Sequence, residues 1–244
     1  MTLKSFLLGM LASFGLAWMF EIAIPVAKMG NLDPVKMTDE EDAAYYERKL
    51  SGRVLNGSKI YASNGCYACH TQLIRPTYAG QQIWRDDIAG VVDTDGNDTR
   101  RETTYYDYTG EEYAQIGLMR MGPDLSNLAH RVDKYAALVE MTSEQWLMEH
   151  LYNPRNNEIR LGKGGEKLDM SWSNCPSQRR MFEKKPLSGQ GDSLALQETK
   201  EGKQIVPKED ARVLVSYLMS LRRDDVLPES MTFSPKKESE EEKK

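Results

Sequence analysis

The stretch NGCYACHTQLIRP, Asn64–Pro76, packs two of the chain's three cysteines and one of its three histidines into five consecutive residues. Three chemistries use cysteines at this spacing. C-x-x-C alone serves as a redox disulfide or as half of a zinc site. Zinc needs four ligands, and the remaining candidates, Cys175, His130 and His150, stand in no ligand spacing. A thioredoxin-like motif would follow a βαβ pattern, and none is readable here. C-x-x-C-H is the attachment signature of c-type haem. On that reading Cys66 and Cys69 form thioethers to the vinyl groups and His70 supplies the proximal nitrogen to iron. The 244 residues hold no second C-x-x-C-H, so one covalently bound haem c is the limit.

The rest of the chain can be asked whether it behaves accordingly. A 40% hydrophobic and 28% charged composition is that of a soluble globule, and a formal net charge of −5 argues against a nucleic-acid partner. One segment is unlike the rest. Phe6 to Ala27, FLLGMLASFGLAWMFEIAIPVA, carries a single charge, Glu21. At 1.5 Å per residue it reaches about 33 Å, enough to cross a bilayer, with Trp18 and Phe20 suited to an interface. A cleaved signal peptide is the alternative, since Phe6 to Phe20 would serve as its apolar core and Ile24 to Ala27 as its cleavage site. The full length of the segment favours an uncleaved single-pass anchor. Lys4 and the amino terminus then stay in the cytoplasm and the bulk of the chain is exported, the side on which c-type haem is attached.

Beyond the anchor, Thr38-Asp39-Glu40-Glu41 reads as a capping box, predicting a helix through Ala43, Tyr46 and Leu50. A second helix, Arg53 to Ser63, sets Val54, Gly57, Ile60 and Tyr61 on one face and leads into Cys66. Residues 77–120 are loop-rich, with a turn at Asp95-Gly96-Asn97-Asp98 and a TTYYDY cluster at Thr103 to Tyr108. Thr142 or Ser143 starts a helix through Trp146, Leu147, His150 and Leu151 that stops near Pro154. Residues 156–206 are poor in periodic apolar residues. Pro207 is expected in the first turn of a terminal helix bearing Ala211, Leu214, Val215, Leu218 and Leu221, with Arg222 and Arg223 favourable at its end. The tail from Pro235 reads as solvated and disordered. The expected divisions are a transmembrane anchor at 1–30, a linker and helix at 31–52, the haem domain at 53–228 and a charged tail at 229–244.

A haem iron needs a sixth ligand, a partner for its histidine and an apolar wrapping. Among the methionines after His70, Met170 lies in an irregular glycine-rich stretch, LGKGGEKLDMSW, with little packing reason to be there. It is the candidate sixth ligand, ahead of Met119 and Met121. Met141, Met148 and Met219 read as core residues, and His130 and His150 as surface or hydrogen-bonded core histidines. In Gly122-Pro123-Asp124-Leu125 the Pro123 carbonyl is free to accept the Nδ1–H of His70. An ordinary turn accounts for the same four residues.

These motifs in this order, Cys66 to His70, Gly122 to Leu125, a loop methionine and an amphipathic terminal helix, resemble single-haem c-type cytochrome domains. In that family the helix before the haem motif crosses the terminal helix with a glycine and an aromatic at the crossing; Gly57 and Tyr61 match on one side, Leu214 and Tyr217 on the other. A narrower match is His70-Thr71-Gln72-Leu73-Ile74-Arg75-Pro76, together with His150-Leu151-Tyr152-Asn153-Pro154-Arg155 and the single N-terminal span. They resemble subunit II, the membrane-anchored monohaem subunit, of cbb3-type cytochrome c oxidases. That family usually follows its ligand methionine with proline and a Y-P-W run, where this chain has Met170-Ser171-Trp172-Ser173-Asn174-Cys175.

The resemblance implies a mainly α fold: one N-terminal transmembrane helix and an exported monohaem cytochrome c-like domain with long loops. It implies a subunit of the bacterial inner (cytoplasmic) membrane with its haem domain in the periplasm. Such a subunit takes electrons from a companion dihaem cytochrome subunit or a soluble cytochrome c. It passes them to the haem–copper catalytic subunit of a terminal oxidase in aerobic respiration, and does no substrate chemistry itself. His70 and Met170 would ligate iron, and Cys66, Cys69, Pro123 and Arg75 would complete the cofactor site. Gln72 and Arg75 follow His70 by two and five residues and are expected at the haem's edge, where Arg75 would pair with a propionate or dock the catalytic subunit. Three rivals remain at this point: the cytochrome subunit of a nitric oxide reductase, a free anchored electron shuttle, and a non-haem adaptor whose C-x-x-C is a disulfide.

Overall fold

The computed structural model describes residues 2–30, 35–37, 41–42, 45–46, 49–85, 87–155, 158–161, 166–187, 189, 191–196, 198–199, 202–225 and 227. It divides into two units, Met1–Tyr46 and Glu47–Lys244.

The first unit begins with α1 (Leu3–Trp18), capped by the Thr2 hydroxyl, which accepts from the Ser5 N–H at 3.2 Å. A π-helical turn, Met19–Ala23, joins it to α2 (Ile24–Met29). The apolar helix Leu3–Lys28 runs for 26 residues at a mean hydropathy of 1.8 and buries none of its surface in the protein. It is long and apolar enough to cross a membrane.

Of the segment expected to be a helix through Ala43, Tyr46 and Leu50, the described residues 41–42, 45–46 and 49–50 are not helical. Lys36 and Tyr45 instead form an antiparallel bridge, and the Tyr46 N–H donates to the Val35 carbonyl at 2.7 Å. A helix this short is marginal without packing, and two adjacent tyrosines favour the extended pairing. Thr38 and Ala43 lie outside the described residues.

In the second unit α3 (Gly52–Ser63) starts where the Ser51 hydroxyl accepts from the Val54 N–H. It crosses the terminal helix, α6 (Glu209–Met219), at Gly57. A Cβ there would lie 2.4 Å from both the Tyr217 Cβ and the Val213 carbonyl oxygen, so only glycine lets the backbones approach this closely. Tyr61 and Tyr217 then meet with centroids 5.5 Å apart and their rings tilted by 58°. Across the outer edge of the crossing Arg53 donates to Ser216 and to Glu209. The inner face of α6, Ala211, Leu214, Val215 and Leu218, is buried. Each large apolar side chain contributes about 1.5–3 kcal/mol on burial.

Two further helices close the core. Helix α4 (Leu128–Leu138), unanticipated in the sequence, buries Leu128, Val132 and Ala136 at four-residue spacing. Helix α5 (Ser143–Tyr152) begins at a Thr142–Gln145 capping box and buries Trp146, Leu147, Met148 and Leu151.

Among its described residues, the stretch read as poor in periodic apolar residues holds five strands. β1 (Glu158–Leu161) pairs antiparallel with β2 (Glu166–Asp169). β3 (Phe182–Pro186), β4 (Glu198–Thr199) and β5 (Lys203–Pro207) form a sheet in the order β3-β5-β4. Phe182 and Ile205 bury in the helical core, and Val206 is buried as well.

Pro207 therefore ends a strand, opposite Phe182, and does not open α6. Lys208 is the N-cap, followed by Glu209 and Asp210, whose charges suit the positive end of the helix. Arg223 is likewise no exposed helix-end cation. It is 1% exposed and donates to Glu111, to Gln72 and to the Asp107 carbonyl. The fold is mainly helical, as expected, with this small sheet added. The tail from Pro235 lies outside the described residues.

The long segment 77–120 is held from within. Arg101 and Asp107, 2% and 0% exposed, make a two-pronged ion pair at 2.5 and 2.7 Å. Asp107 also closes a capping box with Thr104 over the 3₁₀ turn Tyr105–Tyr108. Buried charges are tolerable only when paired this fully, and loss of one partner costs about 3–5 kcal/mol.

Candidate haem site

Cys66, Cys69 and His70 come from one tight turn at the end of α3. Asn64 caps the helix by donating its side-chain amide to the Ile60 carbonyl at 2.6 Å. Gly65 then takes a left-handed conformation, φ 69°, which turns the chain into the 3₁₀ turn Cys66–Ala68. The His70 N–H closes it on the Cys66 carbonyl at 3.0 Å. All three cysteines are unpaired, so the C-x-x-C is not a disulfide here. Among the described residues no three His, Cys, Asp or Glu side chains come together as metal ligands.

Residues 116–125 run alongside this turn and are zipped to it. Gln72 donates to the Ile116 carbonyl, Leu118 to Tyr67, Gly122 to Cys69 and Leu125 to Thr71, all between 2.8 and 2.9 Å. Two glycines make the approach possible. A Cβ on Gly117 would sit 2.3 Å from the His70 carbonyl oxygen, and one on Gly122 2.2 Å from the imidazole Cε1. The His70 Nδ1 lies 2.8 Å from the Pro123 carbonyl oxygen. A carbonyl only accepts, so Nδ1 carries the proton and the lone pair is on Nε2. Burial pushes the His70 imidazole below its ordinary value, with Pro123 acting in the opposite sense. The neutral form, the one that ligates iron, is favoured.

The segment after His70 is anchored in the interior. The Asp124 carboxylate accepts from the Thr71 hydroxyl (2.6 Å), the Leu73 N–H (2.9 Å) and the Ser126 N–H (2.8 Å). Gln72, expected at the edge of the site, is fully buried. It exchanges hydrogen bonds with the Tyr217 hydroxyl at 2.9 and 3.1 Å and accepts from Arg223 at 3.0 Å. Arg75 does reach the surface, its side chain exposed and its backbone N–H held by Gln82 at 3.0 Å. Nothing in the spacing of Q-L-I-R-P says which of its polar residues turns inward; Tyr217 and Arg223, some 150 residues later, decide it.

Met170 is half-buried and packs on the same apolar cluster as Cys66. Its carbonyl accepts from the Ser173 N–H at 2.9 Å, turning the chain toward Cys175. Met119 and Met121, by contrast, are 53% and 64% exposed. Met148 and Met181 are core residues. Cys175 lies close enough to the haem motif to matter electrostatically: burial, and then its proximity, push the Cys66 thiol up to about 11. His130 is hydrogen-bonded to Asp224 at 3.0 Å. His150 is not the satisfied core histidine its position on a helix suggested. It stacks on Trp146 with centroids 5.2 Å apart and planes 9° from parallel. The His150 Nδ1 and the Trp146 Nε1 are buried without a hydrogen-bond partner. Burial, and then the charge of His70, push the His150 imidazole down to about 4.

These features fit a haem. Two unpaired thiols and an oriented imidazole sit in one turn, a half-buried thioether packs on the same apolar cluster as Cys66, and α5 carries two orphaned polar atoms, of which His150 lies within electrostatic reach of His70. Buried polar groups are rarely left unpaired, so the orphans are consistent with a group that brings its own hydrogen-bonding atoms.

A mainly helical unit whose site suits one haem, together with a helix long and apolar enough to cross a membrane, fits the class of membrane-associated cytochromes of electron transfer. Residues 12–159, more than half of the chain, match the family described as "Cytochrome C oxidase, mono-heme subunit/FixO". The chain belongs to this family, the monohaem cytochrome c subunits of cbb3-type oxidases, and membership implies one haem. No curated protein matches the chain at a significant level.

Proposed function

We propose that this chain is the anchored electron-transfer cytochrome of its oxidase, carrying one haem c covalently through Cys66 and Cys69. When bound, the haem supplies a one-electron couple. The chain's residues do the rest. Cys66 and Cys69 would hold the group, His70 Nε2 and the Met170 sulfur would ligate its iron, and Pro123 would keep the imidazole oriented through Nδ1. The observation that carries this reading is the His70–Pro123 hydrogen bond, which leaves Nε2 of a neutral imidazole as the free ligand beside two unpaired thiols. With both ligands supplied by the protein, the group would serve electron transfer and not substrate binding. A His/Met pair also raises the reduction potential, as the high-potential end of a respiratory chain requires.

The domain folds as a cytochrome c, on the periplasmic side of the inner membrane. Its donor is a companion dihaem subunit or a soluble cytochrome c, and its acceptor is the haem–copper catalytic subunit. Exposed Arg75, five residues past His70, is the docking contact for that subunit.

The test is Arg75→Ala in the native complex. Covalent haem content stays unchanged, while oxygen uptake per haem in membranes falls or the catalytic subunit no longer co-purifies. Unchanged uptake and co-purification would reduce Ile74-Arg75-Pro76 to a turn. An anchored shuttle becomes the better reading if the native chain itself co-purifies with no haem–copper subunit.

A further inference from the structure

Two nitrogen atoms on α5 are left over once the iron ligands are assigned. Trp146 Nε1 and His150 Nδ1 are both buried, and among the described residues neither has a hydrogen-bond partner. The two side chains stand four residues apart and so share one face of the helix. Their rings stack 9° from parallel, and Tyr135 also meets the indole, with centroids 5.6 Å apart. Trp146 is only 5% exposed, so its N–H is held in place by packing. This face belongs to the haem site. Trp146 lies in the apolar cluster against which Cys66 and Met170 pack. The Leu151 carbonyl, one residue past His150, accepts from the Gln178 N–H at 2.7 Å, tying α5 to the chain that follows Met170. His70 lies near enough for its charge to bear on His150.

An indole N–H can only donate, and a donor left unmet in the interior is costly. An acceptor therefore belongs beside it. The chain's own candidate within the site is the Met170 sulfur, but a thioether is a weak acceptor, and this one is already committed to iron in the proposed ligand set. Haem is a largely hydrocarbon ring whose polar periphery is a pair of propionate carboxylates. When ionised these only accept, and a carboxylate brought into a protein interior needs donors in its turn. The shortage on α5 and the shortage on the cofactor are complementary. We infer that the Trp146 Nε1–H and the His150 Nδ1–H donate to a haem propionate, the neutral imidazole carrying its proton on Nδ1. This rests on the haem c reading of the site. Hydrogen bonds to an ionised carboxylate are stronger than neutral ones. They also draw on its negative charge, which weakens the field that stabilises ferric iron, so each donor should raise the reduction potential.

The experiment uses the full chain purified with its haem from native membranes, comparing wild type with Trp146→Phe, His150→Gln and His150→Leu. Covalent haem per chain is the control, and wild type without it would sink the haem reading itself, and the inference with it. Resonance Raman spectra read the propionate bending band, and the weak long-wavelength ferric band reports the bond between methionine and iron. Trp146→Phe keeps an aromatic ring in the stack and removes the N–H. It and His150→Leu should each shift the propionate band and lower the reduction potential, with the ferric band in place. His150→Gln, which keeps a donor, should stay near wild type in all three. Where Trp146→Phe yields no holoprotein, the two His150 variants make the same comparison. A propionate band unmoved in either Trp146→Phe or His150→Leu would overturn the inference. If the ferric band moves instead, the acceptor is the Met170 sulfur; if neither band moves, the two nitrogens bond to a buried water.

Discussion

The His70 Nδ1 and the Pro123 carbonyl oxygen are 2.8 Å apart, across 53 residues of sequence. Gly122 makes that distance possible, because a Cβ there would overlap the imidazole at Cε1, 2.2 Å away. Gly122→Ala should therefore displace the ring or the 116–125 segment while leaving both cysteines in place. The expected result is covalent haem with a lowered reduction potential or a reduced yield of holoprotein. Redox titration and haem content per chain check it; wild-type values for both would mean that the ring is not held by this contact.

A second prediction concerns the crossing of α3 and α6. Gly57→Ala inserts a methyl group 2.4 Å from the Tyr217 Cβ and the Val213 carbonyl. Overpacking of this kind costs about 1–3 kcal/mol. Denaturant unfolding of the detergent-purified protein should show the lower midpoint, and Gly57→Val a lower one still.

For the sixth ligand, Met170→Ala should abolish the weak long-wavelength ferric band of methionine-ligated haem and lower the potential. Met119→Ala and Met121→Ala, at exposed positions, should leave both unchanged. A band that survives in Met170→Ala places the ligand elsewhere.

His150 sets a pH dependence. Its imidazole titrates near 4 in the fold, first because it is buried and then because His70 is near, against about 6.5 in an unfolded chain. As pH falls the unfolded chain takes up the proton first. The contribution to stability is complete above about pH 6.5, declines by up to roughly 1.4 kcal/mol per pH unit between 6.5 and 4, and falls no further below that. Unfolding midpoints measured across this window should drop less in His150→Gln than in wild type.

Much of this was legible in the sequence because it was written locally. Gly57 and Tyr61 mark the face of α3, Leu214 and Leu218 that of α6, and the Thr142–Gln145 box starts α5. The C-x-x-C-H turn was legible too, because it needs only five adjacent residues, whereas an ordinary turn accounted equally well for Gly122 to Leu125 until the fold brought Pro123 to His70 across 53 residues. What was missed depends on distant partners. In α4 the spacing of Leu128, Val132 and Ala136 is masked by Arg131, a buried arginine held by the Asp87 and Asp124 carbonyls. The strands Phe182–Pro186 and Lys203–Pro207 carry lysines and a glutamate and take their form from each other. Gln72 turns inward only because Tyr217 and Arg223 are there to receive it. Where a helix was expected after Thr38, Tyr45 pairs with Lys36 instead, for the opposite reason: a short local signal without tertiary packing is weak.

The central claim is a haem bound covalently at Cys66 and Cys69, and mass spectrometry of the proteolysed native protein tests it most directly. The account predicts that the peptide spanning Cys66 to His70 carries the added mass of one haem, and that Cys66→Ala, Cys69→Ala leaves it without. A native peptide recovered with both thiols free or joined as a disulfide, and no haem mass, would contradict it.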